Sequence, residues 1–168
     1  NKKRTYISLF SSAGVGCFGF KQAGFECIAT NEIIERRINV QKFNKKCKYE
    51  SGYICDDITK EETKQRLYNE VALWKRNEHI ANVDVIIATP PCQGMSVANL
   101  KKNDGDKKRN SLVVESIKII KKLKPNFFVF ENVPAFLKTA CTDLDGVDKS
   151  ISEAIEFNLG EDYIFLVK

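Results

Sequence analysis

Read from its first residues, the chain alternates short apolar runs with amphipathic stretches. Tyr6 to Phe10 is an apolar run, followed by a glycine-rich turn and a helical pattern to about Ala23. Glu26 to Thr30 predicts a second strand ending at Asn31-Glu32, with a basic helix after it to roughly Phe43. Gly52 to Cys55 predicts a short third strand, and Lys60 to Glu78 a charged helix. Val83 to Ala88, rich in β-branched residues, is the strongest candidate for a buried central strand. The polar stretch Asn99 to Asn110 has no periodicity and reads as a mobile loop. Leu112, Val113, Ile117, Ile120 and Leu123 then recur at helical spacing, and the helix must stop before Pro125. Phe127 to Phe130, a helix near Ile151 to Phe157 and a last strand from Tyr163 to Val167 complete the pattern. Alternating strands and helices predict an α/β fold: a mostly parallel, doubly wound sheet covered on both faces. Ligands in such sheets bind beyond the carboxyl ends of the strands.

Composition adds bounds. The 168 residues are enough for one domain with a real core, and 43% hydrophobic with 29% charged residues is ordinary for a globular protein. A net charge of +5 permits a polyanionic partner without requiring one. The lack of a membrane-length apolar run and of a signal peptide predicts an intracellular protein with no membrane partner. The six cysteines form no Cys-x-x-Cys pair and His79 is the only histidine, which argues against a metal site. Most of those cysteines read as small buried apolar residues. There is no initiator methionine, and Lys168 falls inside the predicted last strand, so the chain reads as a fragment or a subunit.

The residues at the predicted strand ends carry the chemistry. Gly14-Val15-Gly16-Cys17-Phe18-Gly19 fits Gly-x-Gly-x-x-Gly between a strand and a helix, and Glu32 ends the next strand where a ribose-binding carboxylate is expected. Together they point to a nucleoside-bearing cofactor without separating a nicotinamide from S-adenosylmethionine. At the third strand end, Asp57 could accept from an adenine amino group and Ile58 could cover the ring, while Asp57 or Thr59 would equally serve as a helix cap. Thr89-Pro90-Pro91-Cys92-Gln93 places a thiol on a stiff turn after the best strand. A thiolate is the attacking species, and a free thiol is only a few per cent ionised near neutrality. Glu131, after Phe127 to Phe130, is expected to be partly desolvated at the end of a central strand and so to favour its protonated, donating form.

Taken together, these residues resemble the cytosine-carbon-5 DNA methyltransferase family. Leu9-Phe10-Ser11-Ser12-Ala13-Gly14-Val15-Gly16 is similar to its first cofactor motif, and Asn31-Glu32 and Asp57-Ile58 to its ribose and adenine positions. Pro91-Cys92-Gln93 resembles its nucleophile motif, Glu131-Asn132-Val133 its Glu-Asn-Val motif, and Arg109 with Leu112 the Arg-x-x-Leu element between them. The order and spacing agree from Leu9 to Val133. The resemblance implies a Rossmann-like S-adenosylmethionine-dependent methyltransferase fold, incomplete at its C-terminal side, with residues 1–168 forming a partial catalytic domain. It implies Cys92 and Glu131 as catalytic residues. It implies S-adenosylmethionine as cofactor, contacted by Phe10, Ser11, Ser12, Ala13, Gly14, Glu32, Ile33, Asp57, Ile58, Pro91 and Leu112. Gln93, Ser96, Asn132 and Val133 would face the substrate, duplex DNA with a cytosine flipped out of the stack. Cys92 would add to carbon 6 of that base while Glu131 meets ring nitrogen 3, leaving carbon 5 to take the methyl group. The loop after Cys92 would close over the base. A bacterial restriction-modification setting follows from the same resemblance, in the cytoplasm and on the nucleoid.

The chain also departs from the family pattern. Ser8 stands where the first strand commonly carries aspartate, Thr89-Pro90 where Gly-Phe is common, and Lys107 two residues before Arg109 where aspartate is expected. No Gln-x-Arg-x-Arg motif, target-recognition region or late cofactor motif is found, so a second chain or a missing C-terminal region is expected to read the DNA sequence. Two alternatives remain at this stage, a transfer-RNA cytosine-5 methyltransferase and an inactive cofactor- or partner-binding module. A nicotinamide oxidoreductase would leave Cys92 and Glu131 unexplained. An amino-group methyltransferase would put an aromatic residue in the place of Cys92.

Overall fold

Strands form where apolar residues occupy both faces of the backbone, and β1 (Arg4–Leu9) shows this most fully: every residue from Thr5 to Leu9 is buried. The computed structural model describes residues 3–91 and 104–168, and of residues 104–111 the backbone alone. The chain divides into two compact units, Asn1–Thr89 with Leu123–Glu131, and Pro90–Lys122 with Asn132–Lys168.

The first unit is built on a parallel sheet in the order β3-β2-β1-β4-β5. Its strands are β1, β2 (Phe25–Asn31), β3 (Tyr53–Ile54), β4 (Val85–Ala88) and β5 (Phe127–Phe130). The order turns back beside β1, because β2 and β3 extend to one side and β4 and β5 to the other. That reversal is the topological switch point at which such sheets open a crevice. Helix α1 (Phe18–Gln22), preceded by a 3₁₀ turn over Val15–Cys17, joins β1 to β2, and α2 (Glu35–Phe43) joins β2 to β3. Helix α3 (Glu61–Asn77) lies against β2 and β3 and buries Thr63, Lys64, Leu67, Glu70, Val71 and Trp74, one stripe at helical spacing. Lys64 is fully buried, and its ammonium donates to the carbonyls of Ile58 (3.2 Å) and Thr59 (3.0 Å), which pins the loop after β3.

The second unit contains most of α4 (Asp104–Leu123), a hairpin of β6 (Ala140–Thr142) and β7 (Asp148–Ser150), and α5 (Ile151–Leu159). Ser150 and Glu153 close a reciprocal capping box at the start of α5. Asn158 donates to the buried Asp143 (2.8 Å), which also accepts from Lys149 (2.7 Å), so the hairpin turn is tied to the helix.

Four expectations change. From Asp104 the predicted loop over 99–110 is helical, as part of α4, and residues 99–103 lie outside the described residues; Asp104 and Asp106 suit an early helical turn and Lys107 to Arg109 are good helix formers. The hairpin was not foreseen, although Asp145-Gly146 is a turn signal and Gly146 has φ +79°. Tyr163 to Val167 is not a strand: no described strand pairs with it, and Ile164, Leu166 and Val167 are exposed. Finally, β5 is an edge strand among the described residues, pairing with β4 alone, and Phe127 and Val129 are exposed. Among the described residues no helix is long and apolar enough to cross a membrane.

Glu78, at the end of α3, accepts from Lys3, Lys48 (2.5 Å) and Tyr49, joining the start of β1 to the segment after α2. These donors, Lys3 first, lower its pKa to about 2. A depressed carboxyl pKa stabilises the fold above the unfolded value near 4.5, and the contribution is lost as pH falls through about 2. Glu78→Gln should therefore lower the urea midpoint at pH 7, and the gap to the parent protein should narrow steadily in titrations taken below pH 4.5.

Candidate active site

The parallel register sets the level of every candidate residue. Leu9 pairs with Ala88 and Ala88 with Phe130, so Phe10, Thr89 and Glu131 emerge together at the carboxyl edge. The ladder continues past the strands: Thr89 N–H donates to Leu9 (3.3 Å), Glu131 N–H to Ala88 (3.2 Å), and the Thr89 hydroxyl to the Phe10 carbonyl (3.0 Å). Two further residues carry the Pro-Pro turn from Thr89 to Cys92. Cys92, Gln93 and Ser96 lie outside the described residues, as does the side chain of Arg109.

In the second unit, the Asn132 amide donates to the Pro90 carbonyl (2.9 Å), and its own oxygen accepts from Val133 N–H (2.9 Å). Asn132, expected at the substrate, thus also ties the Glu-Asn-Val segment to the proline turn that precedes the thiol. Val133 and Pro91 are exposed and Leu112 is half-buried on α4. Glu131 is exposed rather than partly desolvated, and it leaves a strand that is at the sheet edge among the described residues.

The turn after β1 is held in a costly shape. Phe10 (φ 55°) and Ser12 (φ 51°) both occupy the left-handed region, which L side chains resist, and Gly14 has φ +86°. Glu32 secures it. This carboxylate is buried; it accepts from Ser12 N–H (2.9 Å) and Ile34 N–H (3.0 Å), with Arg37 3.5 Å away. A carboxylate offers about four acceptor positions, so two amides leave room for ligand hydroxyls. Ile33 beside it is exposed, an apolar side chain at the open end of β2. Ala13 is half-buried at the centre of the turn.

Gln41, which the motifs do not single out, and Asn31, named there only as the neighbour of Glu32, complete this frame. Gln41 of α2 is buried; its amide donates to the Ser12 carbonyl (2.6 Å) and the Ser11 hydroxyl (2.9 Å), while its oxygen accepts from Thr30 (2.7 Å). Ser11 is itself buried, with its hydroxyl donating to Asn31 (3.1 Å), so its side chain supports the turn from beneath. The signal for Gln41 is a polar residue in the stripe Ile34, Ile38, Gln41. Asn31 is the second: its amide donates to the carbonyls of Ile54 (3.0 Å) and Asp56 (3.0 Å), fixing the loop after β3. There Asp57 accepts from the amide (2.9 Å) and hydroxyl (2.8 Å) of Thr59, a local turn ahead of α3, whose own cap position is Lys60. The Ile58 side chain is buried in the core.

Within the first unit the arrangement is a strained turn, a fixed acceptor and a second carboxylate at the ends of β1, β2 and β3, with Glu131 leaving β5 at the same edge. The first three suit a ligand with vicinal hydroxyls and an amino-bearing ring. Residues 4–154 match the family model described as C-5 cytosine-specific DNA methylase. The chain is 38% identical over 162 residues to the Type II methyltransferase M1.HgaI of Avibacterium volantium, covering 94% of this chain and 42% of that protein. It is 35% identical over 128 residues to the Type II methyltransferase M.XorII of Xanthomonas oryzae pv. oryzae, covering 76% of this chain and 27% of that protein. A solved structure described as a DNA modification methyltransferase from an E. coli prophage has the same fold, with a TM-score of 0.65 and 24% identity over 96% of this chain and 39% of that one. The chain thus spans less than half the length of each of these relatives.

The three glycines of the motif are not equivalent. A Cβ on Gly14 would sit 3.1 Å from Gln41 Cγ in addition to the φ penalty, whereas Gly16 and Gly19 face open space. Gly14→Ala should cost about 1–2 kcal/mol in equilibrium unfolding. Gly19→Ala, within α1, should be neutral or stabilising by up to about 1 kcal/mol.

Proposed function

The chain belongs to the C-5 cytosine-specific DNA methylase family, and from that premise we propose the following activity for the whole protein. It transfers a methyl group from S-adenosylmethionine to carbon 5 of cytosine in duplex DNA, as the modification enzyme of a bacterial restriction-modification pair. Residues 1–168 supply the cofactor-binding and catalytic part. Target recognition comes from a further region or a second chain, and the enzyme works on the nucleoid in the cytoplasm. The observation that carries this reading is the shared level of Phe10, Thr89 and Glu131, with Asn132 joined to the Pro90 carbonyl.

The cofactor's hydroxyls suit the spare acceptor capacity of Glu32, its adenine suits Ile33 and Asp57, and its charged end suits the backbone of the Phe10–Gly14 turn. When bound it supplies an electrophilic methyl group. The protein's own residues do the rest. A cytosine ring is a poor nucleophile at carbon 5, so Cys92 thiolate adds to carbon 6; the 5,6 bond becomes single and its π pair moves to carbons 4 and 5, forming an enamine. Glu131 meets ring nitrogen 3 and takes up the charge that this addition places there. After methylation, loss of the carbon-5 proton restores the double bond and expels the Cys92 sulfur. Exposure of Glu131 leaves it able to reach a base that has left the helix stack. The family's description specifies DNA, which supports this substrate over transfer RNA.

A 5-fluorocytosine duplex blocks that last proton loss. Incubated with cofactor and the complete protein, it should yield a covalent adduct that Cys92→Ser abolishes; an adduct that survives the substitution would assign the nucleophile elsewhere. Glu131→Gln should lower turnover by about 10²–10⁴ while leaving cofactor affinity unchanged. In calorimetry, Glu32→Gln should weaken S-adenosylmethionine binding about tenfold or more, as expected for loss of a charged acceptor.

A further inference from the structure

An open cavity of about 1010 Å³ runs from the Ala13-Gly14 turn over β1 and β2, with Tyr6, Cys17, Cys27, Lys46, Cys47 and Tyr53 among its walls. Two of its thiols touch. The Cys47 thiol donates to Cys27 Sγ at 3.6 Å, and the backbones of the two residues form an isolated parallel bridge. We propose that Cys27 and Cys47 form an oxidation site, converted reversibly to a disulfide by hydrogen peroxide that enters through this cavity.

The geometry suits the bond. Bridge partners on neighbouring strands lie about 4.8 Å apart, inside the roughly 4.4–6.8 Å Cα range of disulfides. The sulfurs need to approach by only about 1.5 Å to reach bonding distance, which side-chain rotation supplies. Both residues are nearly sealed from bulk water, at 3% and 8% exposure, so the cavity is the route by which a small oxidant arrives.

The two thiols are unequal. Burial pushes Cys27 up, but the hydrogen bond from Cys47, the charge of Lys46 and the Tyr6 hydroxyl outweigh it and hold this thiol low. Donation to Cys27, together with burial, pushes Cys47 up. Cys27 is therefore the thiolate that attacks and Cys47 the thiol that resolves. In the first step Cys27 thiolate takes the distal oxygen of the peroxide, giving a sulfenic acid and releasing hydroxide. In the second, Cys47 sulfur displaces that oxygen as water, its proton leaving with it. Two thiols are oxidised and one peroxide is reduced to two waters. Cys17, on the same cavity, lies 3.1 Å from the Ser8 hydroxyl and serves as an internal control.

The crosslink would enclose residues 28–46, the segment that carries Glu32 and Gln41. To test it, the intact protein is exposed to hydrogen peroxide in native buffer, quenched, alkylated after denaturation and mapped by mass spectrometry. A peptide joining Cys27 to Cys47, lighter by two hydrogens and reversed by dithiothreitol, is the expected product, and Lys46→Met should slow its appearance. In Cys47→Ser, Cys27 should instead gain oxygen. Full alkylation of both thiols after peroxide, or pairing of Cys27 with Cys17, would overturn the proposal. The parent protein decides this by itself if the Cys47 variant fails to fold.

Discussion

Everything in the first unit hangs on β1 being paired along both edges. A strand buried on two faces and two edges has no freedom to slip, since a shift of one residue would reverse every side chain and break both ladders. Because β2 and β4 are each fixed to it, the turns that leave their carboxyl ends inherit a common level. The site residues therefore need no long-range tether of their own. Their relative heights are set by backbone hydrogen bonds that the sequence of the turns does not control.

What the turns do control is shape, and here polar groups in the interior matter more than apolar ones. Ser11, Thr30 and Gln41 form a buried cluster under the strained Phe10–Gly14 turn, and Glu32 reaches the same turn from its outer side. Each neutral hydrogen bond contributes only about 0.5–1.5 kcal/mol net, but an unpaired buried partner costs about 1–3 kcal/mol. The cluster is thus held as a set. Two left-handed non-glycine residues, each costing about 1–3 kcal/mol, persist because that set surrounds them.

Much of this was legible in the sequence and some was not. Short apolar runs bounded by turn residues located all five strands of the sheet to within two residues at either end, because central parallel strands are largely apolar on both faces. Tyr163 to Val167 has the same apolar look but joins no described strand, and strand pairing is what a pattern cannot report. The position of β5 at an edge among the described residues was hidden for the same reason, and with it the exposure of Glu131. Within the site, Glu32 and Gly14 were found by spacing. Gln41 was not, nor was the role of Asn31 in holding the loop after β3, since both act through backbone carbonyls far along the chain, which no local motif encodes.

The close approach of Gly14 to Gln41 reaches beyond stability. A larger residue at position 14 would need a shorter one at position 41, yet a shorter residue there would give up the bonds to Ser11 and Ser12. Either substitution taken first passes through a weakened intermediate. The glycine turn and the second helix, 27 positions apart, are therefore bound to diverge together or not at all.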